Sequence, residues 1–261
     1  MDSSNWEIPP LSVMSQQVRQ FYWESIHSAD YADVWSITED IKLLNKIVET
    51  LRSLDKISRI LIIGCGSRVT LQMTLIEGVK NIEEIVCVDF PGVVEIASQR
   101  TTNPKIRYQS CDLTKLSWDQ EWDVIINVNA ILSENHEENS LILKNCWNSL
   151  KDKGFFLGFF PTIFCALEIA HIEMNSQRLN DIDCSRSSFL ERKQGVWQIF
   201  YTPLRLRKLL IDQNFLIKSF EVFFFDSEYA KHHSSKYYEL KDPDLLIYEH
   251  YVILQKISGS T

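Results

Sequence analysis

Missing from this chain of 261 residues is any apolar run long enough to cross a bilayer, which excludes a membrane-spanning helix reading. The start, MDSSNWEIPP, has neither the basic nor the apolar region of a secretory leader, so the expectation is a cytoplasmic protein. Basic charge is in deficit, with 27 Lys and Arg against 35 Asp and Glu and a net charge of −8. Neutralising phosphates needs clustered cations, so a general nucleic-acid binder is excluded. The six cysteines, at positions 65, 87, 111, 146, 165 and 184, form no C-x-x-C pair and no zinc spacing. Three of them fall in or beside expected buried strands, which reads as core thiols in a reducing compartment. His232 and His233 lie in a polar stretch without a third ligand, so no metal is expected. No repeat and no low-complexity tract interrupts the chain.

What is there is organised around residues 59–89, RILIIGCGSRVTLQMTLIEGVKNIEEIVCVD. Ile60–Ile63 is a short β-branched run, the pattern of a strand buried on both faces. Gly64-Cys65-Gly66 follows at once, and helical apolar spacing runs from Val69 to about Gly78. Glu84–Asp89 reads as a second buried strand with an acid at its tip. Strand, glycine turn, helix and acid make a nucleotide half-site: bare backbone N–H groups approach the ligand, and Asp89 accepts both hydroxyls of a ribose. The other reading of Asp89 is a cap for the helix after it. Asp89 lies 23 residues beyond Gly66, near the usual ribose-acceptor spacing. A dinucleotide fingerprint would place a third glycine where Val69 stands, which disfavours a nicotinamide dehydrogenase.

The remaining pattern extends the alternation. Before the first strand come a helix within 16–34 and an amphipathic helix over Thr38–Leu54, with Ile41, Leu44, Ile47, Val48 and Leu51 on one side. After Asp89 come a helix over Gly92–Arg100, strands at Ile106–Gln109 and Trp122–Val128, a helix over Ser140–Leu150 stopped by Lys151–Gly154, and a strand at Phe155–Phe160. Ile163–Met174 reads as a helix, and 175–195 has no clear period. Thr202-Pro203 opens a helix to about Asp212. Phe215–Phe225 and Leu245–Gln255 read as two long strands. The fold class is α/β, a Rossmann-like seven-stranded mostly parallel sheet with helices on both faces and a C-terminal antiparallel strand pair. The chain reads as one domain over 1–261, with an N-terminal arm or lid at 1–37 and an insertion on the substrate side at 163–197.

The glycine pair, the acid at the next strand's tip and the closing strand pair resemble class I S-adenosylmethionine-dependent methyltransferases. Ser67-Arg68-Val69-Thr70-Leu71-Gln72 and Asp89-Phe90 resemble, more locally, the branch that methylates small arylalkyl- and heteroaryl-amines. The resemblance implies S-adenosylmethionine as cofactor and S-adenosylhomocysteine as product. It implies that Gly64, Cys65, Gly66 and Asp89 hold the ribose end, and that Asp112-Leu113 and Phe90 hold the adenine. Asn127-Val128 would meet the amino-acid end. The alternative reading of Asp112 is a turn residue, and strand-end asparagines are as often turn-formers. Two positions depart from the family. Ile62 stands where an acid usually precedes the glycines, and Ser67-Arg68 replaces a third glycine. Arg68 could meet the cofactor's carboxylate or face water.

Aromatic residues crowd the N-terminal arm, where Tyr22 and Tyr31 are candidates for the cofactor's carboxylate and Trp23 for substrate, against a reading as packing area. Glu168 and His171 are three apart on one expected helix, a candidate pair for orienting and deprotonating an amine, against a solvated face. Trp197, Tyr201 and Asp226 complete the substrate-lining candidates. The partner expected is a small acceptor, an amine first and a hydroxyl second. The rival from another class is a fold relative that binds cofactor weakly and serves as a binding protein.

Overall fold

The computed structural model describes residues 20–21, 24–25, 36–174, 176–191, 196–232 and 246–257. Its helices are α1 (Ile41–Ser53), α2 (Thr70–Gly78), α3 (Pro91–Ser98), α4 (His136–Ser149), α5 (Ile163–Ile172), α6 (Ser176–Leu179) and α7 (Pro203–Asp212). Its strands are β1 (Arg59–Ile63), β2 (Glu84–Asp89), β3 (Ile106–Ser110), β4 (Trp122–Val128), β5 (Leu150–Pro161), β6 (Ile182–Asp183), β7 (Ser188–Glu191), β8 (Val196–Ile199), β9 (Phe215–Phe224) and β10 (Tyr248–Lys256). Seven of them form one sheet in the order β3-β2-β1-β4-β5-β10-β9. β1 to β5 pair in parallel, and β10 runs antiparallel to both β5 and β9.

Period-2 alternation within the central strands divides the core in two. Ile60 and Ile62 face a cluster containing Leu43, Ile47 and Leu51 of α1 and Leu71 and Leu75 of α2. Leu61 and Ile63 face a second cluster with Ile142, Leu143 and Cys146 of α4 and Leu206, Leu209 and Leu210 of α7. Both faces of the sheet are therefore covered, the condition under which parallel strands become continuous apolar runs.

Several boundaries differ from the sequence reading for local reasons. The helix expected from Thr38 starts at Ile41, because Asp40 caps it by accepting from the Leu43 N–H at 2.8 Å; a short 3₁₀ turn over Ile37–Glu39 precedes it. α4 starts four residues early, where Asn135 accepts from the Glu137 N–H. Lys151–Gly154 is not a helix stop but the start of β5: Leu150 pairs with Trp122 and Phe155 with Val124, so extra residues bulge out of the strand. The stretch without clear period after Met174 contains α6 and a small antiparallel sheet, β6-β7-β8. That sheet joins the body through Ile199 N–H to Leu132 C=O and Tyr201 N–H to Pro161 C=O. All six cysteines are free thiols. Four are buried, Cys111 is half-buried and Cys184 is exposed.

Candidate functional site

Strand order reverses between β1 and β4, and in an open α/β sheet ligands sit beyond the C-terminal ends of the strands at such a point. β1 ends in Gly64 and Gly66, both at φ +64°, the left-handed region in which a side chain is strained. β4 ends against them. A Cβ on Gly64 would lie 2.3 Å from the Ala130 Cβ, so only glycine lets the two strand ends close.

Asp89 closes the third side at the tip of β2. Its Oδ2 accepts from the Gly66 N–H at 2.9 Å and its Oδ1 from the Phe90 N–H at 2.8 Å. Burial pushes its pKa up to about 6, against the pull of those two N–H groups, and Glu24 adds to the rise. Glu24 comes from the N-terminal segment, which the sequence reading assigned to aromatic side chains. Its Oε1 accepts from the Gly92 N–H at 2.9 Å at the start of α3. A second acid, Glu39, accepts from the Thr70 hydroxyl at the start of α2. Neither acid carried a signal in sequence, since each acts across a long separation in the chain.

The other expected cofactor residues take defined places. Cys65 is buried, and hydrogen bonding to Cys87 and desolvation hold its thiol neutral. Arg68 is half-buried in the loop after Ser67. Asp112 caps the turn over Leu113–Lys115, accepting from the Thr114 N–H at 3.0 Å and pairing with Lys115 at 3.0 Å. Phe90 and Leu113 are half-buried. Asn127 turns inward: its amide donates to Phe159 C=O at 3.1 Å and accepts from the Ala130 N–H at 3.2 Å, so it builds the β4 tip with its side chain. Val128 is buried beside it. Tyr22, Trp23 and Tyr31 lie outside the described residues.

The substrate-side candidates are scattered. Tyr201 is a correction: it has no exposed surface, stacks edge-on with Phe160, and donates its hydroxyl to Ile131 C=O at 2.9 Å. A side chain sealed in the core lines no pocket. Asp226 is exposed and pairs with Lys42 at 2.8 Å. Trp197 is half-buried, with the Arg186 guanidinium 5.7 Å from its ring. Glu168 and His171 are exposed on α5. No hydrogen bond joins them among the described residues, and Glu168 accepts instead from the Tyr248 hydroxyl at 2.5 Å. A buried acid of this region, with Glu173 and Asp181, is Glu249 on β10, which the sequence reading missed. In IYEHYVILQ it occupies an ordinary polar place, and only the β10–β5 register, with Glu249 opposite Pro161, puts it at the sheet's C-terminal edge.

Among the described residues no group of three or more His, Cys, Asp and Glu could hold a metal ion. No helix there is long and apolar enough to cross a membrane.

No family model matches the chain, and no curated protein matches it. Solved structures do. A SAM-dependent methyltransferase from Methanosarcina mazei superposes with a TM-score of 0.61 at 20% identity, covering 82% of this chain and 98% of its own. The magnesium protoporphyrin IX methyltransferase of Synechocystis, solved with bound S-adenosylhomocysteine, gives 0.60 at 14% identity over 93% of this chain and 100% of its own. The 4+2 cyclase SpnF gives 0.57 at 14% identity over 84% and 81%. The fold is that of the class I methyltransferases. SpnF, a cyclase, illustrates that fold and reaction are separate conclusions.

Proposed function

We propose that the protein binds S-adenosylmethionine in the crevice between the β1 and β4 tips and methylates a small acceptor, an amine nitrogen before a hydroxyl. The observation that carries this reading is the conjunction at the crevice: two left-handed glycines, and a half-buried carboxylate lifted to about 6 by burial. Each Asp89 oxygen accepts one backbone N–H and keeps lone-pair capacity, so a diol that donates two further hydrogen bonds fits it. Those donors would also stabilise the ionised carboxylate, opposing the rise in pKa that burial causes.

The cofactor would supply an activated methyl group, and this chain's residues would supply position. Asp89 would fix the ribose, the Gly64–Gly66 backbone would approach it, and the β4 tip would bound the amino-acid end. Asp112 and Leu113, with Phe90, would flank the base, although Asp112 also serves as a cap. Holding the acceptor in line and excluding water is the main contribution open to such a site. Nitrogen is favoured by the local likeness over 67–72 and 89–90, and by acidic groups on the acceptor side.

A second reading is a weakly binding fold relative. Ile62 favours it, being fully buried where the family usually has an acid. Calorimetric titration with S-adenosylhomocysteine separates the two. Micromolar binding supports the enzyme, and no heat at millimolar ligand supports the binding protein. A methylation assay over amines and alcohols then tests the acceptor atom; methylation of hydroxyls alone would reject nitrogen.

A further inference from the structure

Glu249 is buried at the C-terminal edge of the sheet, opposite Pro161 of β5 and Phe223 of β9, with 6% of its surface exposed. Its Oε1 accepts from the Asn129 side-chain amide at 2.7 Å. Its Oε2 is buried without a donor, and so is the Asn129 Oδ1. Two unpaired acceptors therefore belong to one hydrogen-bonded pair. Leaving both bare is costly, and native proteins seldom keep such groups without a cause.

The ionisable groups on the surrounding elements are engaged elsewhere. Lys42 and Lys46 of α1 pair with Asp226 and Glu221. On α5, Glu168 accepts from the Tyr248 hydroxyl, and burial pushes the Cys165 thiol up to about 12, so it stays neutral. Arg178 of α6 has a partner of its own. His250, next along β10, lies 3.3 Å from the Tyr201 C=O through its Nε2. Burial and the Asn129 amide alone govern Glu249.

We infer that Glu249 carries a proton in the folded protein and donates it to the Asn129 Oδ1, closing an acid–amide ring that positions the residue behind the β4 tip. A carboxylic acid and a primary amide are complementary: the acid oxygen accepts the amide N–H, and the acid O–H donates to the amide oxygen. One proton, taken from solvent, thus satisfies both orphaned acceptors. Ionisation keeps the N–H bond, loses the O–H bond and leaves a buried charge against the Asn129 oxygen.

The ring has a defined place in the fold. Asn129 stands at φ +51°, its backbone N–H donates to the Phe159 C=O at 3.3 Å, and its neighbour Ala130 packs on Gly64. Asparagine tolerates that left-handed backbone better than most residues. The pair therefore ties β10 to the loop that meets the glycine turn. Glu249 acts on the crevice through Asn129, which makes it a positioning residue. That effect on the crevice rests on the methyltransferase reading; the ring itself does not.

The ring is tested by following the Asn129 side-chain amide resonances by NMR from pH 5 to pH 9, assigned by their loss in Asn129→Leu. In wild type they should shift with a midpoint near 7, where burial places Glu249. In Glu249→Gln, whose amide offers the same acceptor and donor as the protonated acid, they should stay fixed. A wild-type midpoint below pH 5, or a shift that persists in Glu249→Gln, would overturn the ring. Calorimetry with S-adenosylhomocysteine at pH 6.5 reads the positioning role, with circular dichroism confirming folded variants. Glu249→Gln should bind as wild type does, and Glu249→Leu about fivefold or more weakly. Undiminished affinity in Glu249→Leu, or a loss in Glu249→Gln as large as in Glu249→Leu, would overturn the positioning role. A wild type that ignores S-adenosylhomocysteine while its Asn129 amide titrates near 7 would overturn the cofactor reading and leave the ring standing.

Discussion

At the scale of single residues, Gly64 and Asp89 carry separable demands, one steric and one electrostatic. Any side chain at Gly64 meets the Ala130 Cβ at 2.3 Å and also sits at φ +64°. The left-handed backbone alone costs about 1–2 kcal/mol for an L-residue. Gly64→Ala should therefore lower stability by about 2–4 kcal/mol in urea unfolding, with the clash as the remainder. A loss below about 1 kcal/mol would show that the strand tips can spread. Asp89 is tested through its ligand. A diol donates to the ionised carboxylate, so S-adenosylhomocysteine affinity should weaken as pH falls through about 6, the value that burial sets. Asp89→Asn should bind roughly tenfold or more weakly, since hydrogen bonds to a charged acceptor are worth about 1.5–3 kcal/mol. Its affinity should also be flat between pH 5 and 8. A wild-type titration that is itself flat would remove Asp89 from the site.

At the scale of elements, the frame was legible because buried parallel strands are apolar throughout. Glu84–Asp89 and Trp122–Val128 coincide with β2 and β4, and Pro203–Asp212 with α7, whose Thr202 cap and first-position proline are local signals. The small sheet β6-β7-β8 was not legible, since strands of two to four residues give no period. The acids that shape the sites escaped for a related reason. Glu24, Glu39 and Glu249 act through partners 68, 31 and 120 residues away, and separation of that kind leaves no trace in spacing. Asp40 belongs with them. It caps α1 and also accepts from the Ser227 hydroxyl at 2.5 Å while only 1% exposed, tying α1 to the segment after β9. Asp40→Ala should cost about 2 kcal/mol, the upper end for a lost cap, because it also removes the acceptor of the half-buried Ser227 hydroxyl. Thr202→Ala, a single cap with an N···O distance of 3.3 Å, should cost nearer 1 kcal/mol. Thermal melts of the two variants should rank in that order.

At the scale of the whole molecule, acids held at strand tips set how stability follows pH. Burial pushes Glu249 up from 4.5 to about 7, with the Asn129 amide partly offsetting it. An acid whose folded pKa is raised binds its proton more tightly when folded, so its favourable contribution is complete below about 4.5 and is lost as pH climbs through 7. Asp89 runs the same way up to about 6. Asp123 runs oppositely: burial would raise it, but Lys151 and the Arg59 and Ser58 N–H groups prevail and hold it low, so its contribution fades as pH falls. These opposed slopes make Glu249→Gln diagnostic. At pH 4 both proteins carry a neutral side chain there and should unfold at nearly the same urea concentration. At pH 8 the variant escapes an ionised, buried carboxylate and should be the more stable by about 3 kcal/mol, the equivalent of the shift from 4.5 to about 7. A variant whose stability relative to wild type is the same at both pH values would mean that Glu249 is solvated when folded and that burial does not set its titration.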